Sequence, residues 1–195
     1  MRFWWRQAMT SKAEQFFTAD YHLFHENIIE YCNRPWKKVD EMHKQLIFRH
    51  NSVVNSHDIV WNLGDVTLDD AQYVFRNSNA IKKFNGTKHL VVGNHDEWKY
   101  TSYENIGFLT VHTAMWFEYG GFTFYMMHDP SKYTAIENNP KAIMLCGHIH
   151  KLFKHLLPEK RIINVGIDVW DYTPVNLKQI LELLSEHKIN IQLEV

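Results

Sequence analysis

Residues 89–96 read HLVVGNHD. Four residues suited to a strand, His89 to Val92, stop at a glycine, and three polar residues capable of chemistry follow at once. A short apolar run bounded by a turn signal predicts a buried strand. Glycine lets the chain bend sharply and approach a ligand closely. The same phrase recurs along the chain. Gln15 to Ala19 ends at Asp20-Tyr21-His22, and Ile59 to Leu63 ends at Gly64-Asp65. Phe122 to Met127 ends at His128-Asp129, and Ala142 to Cys146 ends at Gly147-His148-Ile149-His150. In open α/β sheets, ligands bind beyond the carboxyl ends of the strands. Five such ends, bearing Asp, His and Asn, predict one shared site. If Asp20-Tyr21-His22 and His148-Ile149-His150 run extended, the outer residues of each share a side, while Tyr21 and Ile149 face elsewhere.

Around these ends the pattern alternates. A helix is expected over Lys37 to Val54, with Val39, Met42, Leu46, Val53 and Val54 as its apolar stripe. Asn55 to Asp58 reads as a turn. A weaker helix is expected over Asp69 to Phe84. Val111 to Tyr119 and Phe122 to Met127 flank Gly120-Gly121 as a hairpin. Arg161 to Val165 reads as a strand. Thr173-Pro174 reads as the start of a helix carrying Leu177, Ile180, Leu181 and Leu184. Ile189 to Val195 reads as a closing strand. The fold class expected is α/β with hairpins: two mixed sheets packed as a sandwich and flanked by helices.

Composition bounds the partners. The 195 residues carry 21 Lys+Arg against 22 Asp+Glu, a net charge of −1. That balance argues against a protein that coats nucleic acid. No apolar run approaches the ~18 residues needed to span a bilayer. With two cysteines, no disulfide framework is expected, and the reading is a reduced, cytoplasmic protein. One domain is expected over residues 1–195. Residues 1–13 form an N-terminal appendage that packs on the domain or precedes a start at Met9. The 13 histidines stand out, since histidine is the commonest metal ligand. The donor set mixes carboxylate, imidazole and one carboxamide, with no thiolate. It suits Mn, Fe, Ni or Zn, and seven donors suit two ions better than one.

The ordered set Asp20-x-His22, Gly64-Asp65, Gly93-Asn94-His95-Asp96, His128 and Gly147-His148-x-His150 resembles the calcineurin-like metallophosphoesterases. The likeness runs from about residue 14 to about residue 175. The phrases FTADYHLFHENIIEYCNRPW and INVGIDVWDYTPV look like a small bacterial and phage branch of predicted phosphoesterases. The resemblance implies that Asp20, His22 and His150 hold a first divalent metal ion. Asn94, His128 and His148 would hold a second, with Asp65 bridging the two. It implies a hydroxide between the metals attacking phosphorus, with His95 assisting the leaving group and Asp96 orienting that ring. A phosphate ester is the expected substrate, more readily a diester: a nucleotide, a cyclic nucleotide or a nucleic-acid end. The long capping insertions of larger relatives are missing, which implies an open site.

Two further residues are candidates for substrate contact. Arg34 can grip a phosphate through two N–H groups, or pair on the surface. His25 faces substrate, supports a ligand or simply starts a helix. His43, His50 and the remaining histidines are expected on the surface or partly buried. The competing function is a catalytically silent, metal-containing binding module on the same fold. That reading predicts damaged ligands, and none is damaged here.

Overall fold

The computed structural model describes residues 12–67, 80–96, 100–139 and 141–189. Two five-stranded sheets form it. The first has the order β10-β1-β2-β3-β4, with β1 at Gln15–Thr18, β2 at Ile59–Asn62, β3 at Thr87–Val91, β4 at Thr110–His112 and β10 at Val175–Asn176. Strands β1 to β4 run parallel and β10 is antiparallel to β1. The second has the order β5-β6-β7-β9-β8: β5 at Met115–Tyr119, β6 at Phe122–Met126, β7 at Ala142–Cys146, β8 at Leu156–Leu157 and β9 at Ile162–Asn164. Helices α1 (Ile28–Tyr31), α2 (Val39–Val53), α3 (Tyr100–Ile106) and α4 (Leu177–Glu186) flank them.

The inner faces make the main core. Phe17, Leu63 and Val91 of the first sheet meet Phe124, Met126, Ile143, Leu145 and Ile163 of the second. Strand β7 is buried along its whole length, which is why its sequence is an unbroken apolar run rather than an alternation. Helix α2 covers the outer face of the first sheet, where Met42 and Leu46 pack with Tyr21, Leu90 and Tyr103. No helix among the described residues is long and apolar enough to cross a membrane.

Several expectations change. The single strand over Val111 to Tyr119 is two strands in different sheets. His112 pairs with Val91, while Met115 pairs with Met126, so the chain changes sheet at residues 113–114. The helix expected from Thr173 begins at Leu177, after the short strand β10. Its cap is Asn176, whose side chain accepts from Lys178 N while Gln179 reaches back to the Asn176 amide. This capping box satisfies donors that Thr173 would have left open. The inward stripe of α2 runs through Met42, His43, Leu46 and His50, not Val53, which is 39% exposed. His50 is therefore in the core. Its Nδ1 lies 2.6 Å from the Tyr21 hydroxyl and its Nε2 3.0 Å from the Asn85 carbonyl. Both ring nitrogens are satisfied in the neutral form, and burial lowers its pKa to about 4. Most of the helix expected over 69–84, the strand expected from Ile189 onward and nearly all of the N-terminal appendage, Met9 included, lie outside the described residues.

Candidate metal centre

All five strand ends reach one place. Asp20 and His22 follow β1, Asp65 follows β2, Asn94 and His95 follow β3, His128 follows β6, and His148 and His150 follow β7. The ligand-bearing segments are not extended, as their spacing had suggested. Asp20, His22, Asp65, His148 and His150 all have φ between 43° and 72°. Five non-glycine residues in this sparsely populated region mark a backbone held by its surroundings. Tyr21 still points away, stacked on Phe84 at 4.9 Å. Two glycines permit the convergence. Gly64 has φ +99°, and a Cβ there would lie 2.7 Å from His128 Nδ1. A Cβ on Gly147 would lie 2.6 Å from that of Ala19.

The side chains fall into two clusters: Asp20, His22 and His150, and Asp65, His128 and His148. Asp65 lies between them. Its Oδ1 accepts from the His95 amide at 2.9 Å. Its Oδ2 lies 3.2 Å from His128 Nε2 and 3.6 Å from His22 Nε2. Asn94 Oδ1 lies 2.7 Å from His148 Nδ1 and 3.1 Å from His128 Nε2. The Asp20 carboxylate takes the His148 amide on Oδ1, while Oδ2 is buried with no hydrogen-bond partner. Among the described residues neither ring nitrogen of His22 finds a hydrogen-bond partner, though the residue is 2% exposed. Buried polar atoms are rarely left this way. These open donor atoms, all oxygen or nitrogen, fit divalent cations.

Groups outside the two clusters hold the candidate donors in place. His150 Nδ1 sits 2.8 Å from Asp168 Oδ2, which orients its other nitrogen toward Asp20 and His22. Asp168 is paired in turn with Arg34, at 2.9 and 3.0 Å. Arg34 also donates to the carbonyls of Asp20 and Tyr21. The expected role of Arg34 as a phosphate grip is therefore corrected. Its side chain is fully buried and its donors are committed to the first cluster's backbone and to Asp168. His128 Nδ1 is tied to the Leu63 carbonyl at 2.7 Å. The expected role of Asp96 is corrected as well. Its carboxylate accepts from the amides of Asp65, Val66 and Gly93 and from the Tyr103 hydroxyl, not from the His95 ring. Asp129 accepts from the amide and hydroxyl of Ser131, capping the turn after His128. The His95 ring lies 5.4 Å from that of His22, and the His25 ring lies 5.6 Å from it. Both line a cleft of about 650 Å³ beside the first cluster.

The electrostatics fit a site built for added positive charge. Burial raises the Asp20 carboxyl to about 6. Burial lowers His22 to about 3. Burial also pushes Asp65 up, but the hydrogen bond and charge of His128 outweigh it and bring it to about 2. Burial opposes the charging of His150, yet the bond to Asp168 raises it to about 10. Cations entering the site displace such protons, so their binding depends on pH.

Sequence comparison places this geometry. A model of the calcineurin-like phosphoesterase superfamily domain matches residues 19–174. MJ1445 of Methanocaldococcus jannaschii is 33% identical over 179 residues, covering 89% of this chain and 93% of that protein. The Gene 66 protein of Mycobacterium phage L5 is 28% identical over 181 residues, covering 79% of this chain and 86% of the phage protein. The crystal structure of AQ665 from Aquifex aeolicus has the same fold, with a TM-score of 0.66 at 23% identity over 88% of this chain and 100% of that one. The matched span holds every residue of both clusters together with His95, Arg34 and Asp168, and the chain belongs to the calcineurin-like phosphoesterase superfamily.

Proposed function

We propose that the protein hydrolyses phosphodiesters with two divalent cations. One is held by Asp20, His22 and His150, and the other by Asn94, His128 and His148, with Asp65 shared. The position of the Asp65 carboxylate between the two clusters carries this reading. When bound, a pair of such ions supplies Lewis-acid polarisation and water activation. The chain does the rest. His95 faces the cleft beside the clusters, where it can hold or deliver a proton at the departing oxygen. The His95 amide fixes Asp65, and Asp96 fixes the loops that carry both.

A diester is favoured over a monoester by the scarcity of fixed cations. With Arg34 turned inward, Lys151 is the lone lysine or arginine among the described residues that line the two clefts. Its ammonium is bonded to the Cys32 carbonyl at 2.6 Å. Such a site makes little provision for a second negative charge on the phosphoryl group. Nucleotides, cyclic nucleotides and nucleic-acid ends all fit this class.

The test pairs elemental analysis with hydrolysis by Mn-, Ni- and Zn-loaded protein. Bis-p-nitrophenyl phosphate, p-nitrophenyl phosphate and 2′,3′-cyclic nucleotides serve as substrates. The expected result is two ions per chain and preference for diesters. His95→Ala keeps both ions and loses about 10²- to 10⁴-fold in turnover of esters with poor leaving groups. Two bound ions with no hydrolysis of any ester would assign the fold to a metal-containing binding module instead.

A further inference from the structure

Two clefts open beside the clusters, and their chemistry differs. The cleft on the Asn94, His128 and His148 side measures about 490 Å³ and has Asp129 on its wall. The cleft on the His22 and His150 side, about 650 Å³, has no acidic residue among the described residues of its lining. One wall is α1 with Ile28 and Tyr31, and the other is the loop after β7 with Ile149 and Leu152. Tyr31 is 71% exposed and Leu152 81% exposed. Single exposed hydrophobic residues are ordinary, but two that flank one cleft, with the half-buried Ile149 beside them, mark a binding surface.

Flat rings connect that surface to the clusters. The centroid of Tyr31 lies 6.0 Å from that of His25, His25 lies 5.6 Å from His22, and His22 lies 5.4 Å from His95. The Lys151 bond to the Cys32 carbonyl joins the two walls across 119 positions of sequence.

We propose that this cleft receives the nucleobase of the departing half of a phosphodiester, with Tyr31 as its stacking face and Ile28, Ile149 and Leu152 around its edges. The inference rests on the phosphodiesterase reading and adds to it a substrate class and a direction of cleavage. Bases stack on exposed aromatic rings with little sequence preference. A cleft with Ile28, Ile149 and Leu152 in its walls, and no acidic residue among its described lining, admits a nucleoside without repelling its phosphate. His95 lines this cleft and not the other, so the alcohol leaves on this side. Water oxygen bonds to phosphorus, the ester P–O bond breaks, and the departing nucleoside takes up a proton. The phosphate stays on the other fragment.

The test compares two diesters with Mn-loaded protein: a dinucleoside phosphate and the methyl ester of the same mononucleotide. The dinucleoside phosphate is expected to be preferred at least tenfold in kcat/KM. Tyr31→Ala should shrink that preference about tenfold, the size of one base stack, and Tyr31→Trp should restore it. Separately, adenosine is titrated into the metal-free protein while the methyl resonances of Ile28, Ile149 and Leu152 are followed. Shifts at these methyls are expected, and they weaken in Tyr31→Ala. If both diesters are cleaved but Tyr31→Ala leaves their ratio unmoved, the subsite is overturned and the phosphodiesterase reading stands. If neither diester is cleaved, that reading fails and the adenosine titration alone decides: methyl shifts sustain the nucleobase site, and their absence ends it.

Discussion

The two halves of the candidate metal centre are held together differently. Around Asp20, His22 and His150 the support comes from groups that are not ligands. Arg34 and Asp168 are buried, paired with each other and bonded to the backbone or side chain of all but His22. Around Asn94, His128 and His148 the Leu63 carbonyl steadies His128, but the three side chains otherwise hold one another, and both Asn94 and His148 are exposed. A site fixed by its surroundings loses less freedom on binding a cation than one the cation must assemble. On the proposed two-cation reading, the first half is the tighter position, and the second fills and empties more easily.

The sharpest way to break this contrast is at the shared residue. Asp65→Asn should release ions from both halves and lower hydrolysis on the order of 10³-fold, as seen by elemental analysis and turnover. An unchanged metal content would show that the halves do not share Asp65. Next in size is Arg34→Met. It leaves the buried Asp168 with His150 in place of two partners and should cost about 3 kcal/mol in denaturant unfolding. A variant as stable as the parent would mean that the first half needs no such support. Asp168→Asn should weaken the tighter ion about 10- to 100-fold in calorimetric titration and leave the weaker one in place. His148→Ala should do the reverse.

The smallest effect lies outside both halves and separates the acid loss of metal from that of the fold. His50 is neutral when folded, with its pKa lowered from 6.5 to about 4. Its contribution is complete above pH 6.5 and declines as pH falls toward 4, where the folded state must also take the proton. That amounts to about 2 kcal/mol between pH 7.5 and pH 5. His50→Gln should flatten this slope in the metal-free protein. An unaltered slope would assign the acid lability to the ligands.

The strand ends were legible in the sequence because unbroken apolar runs stop at glycine or a polar residue. Ala142–Cys146 is the plainest, since a strand buried on both faces has no competing pattern. The change of sheet at residues 113–114 was not legible. Alternating residues continue through it, and nothing local says that His112 and Met115 pair with different partners. The start of α4 had a readable signal in Asn176-x-x-Gln179, which Thr173-Pro174 outranked by propensity. The candidate ligands could be picked out because each follows a strand. The pairing of Asp168 with Arg34 could not, because it joins positions 134 residues apart, although each lies in a phrase that carries the family likeness. The depth of Arg34 depends on the same partner, for without Asp168 an arginine belongs at the surface.

The Asp20 carboxylate reaches the His148 amide across 128 positions, from one sheet to the other. Cations seated among these strand ends thus act as clasps over the seam between two halves of the chain. A clasp that closes so long a loop removes many open conformations at once, and any ion that binds the folded form alone holds it shut in proportion to its concentration. On the proposed reading, metal supply would then govern how long the protein survives heat or a protease, as well as how fast it turns over an ester.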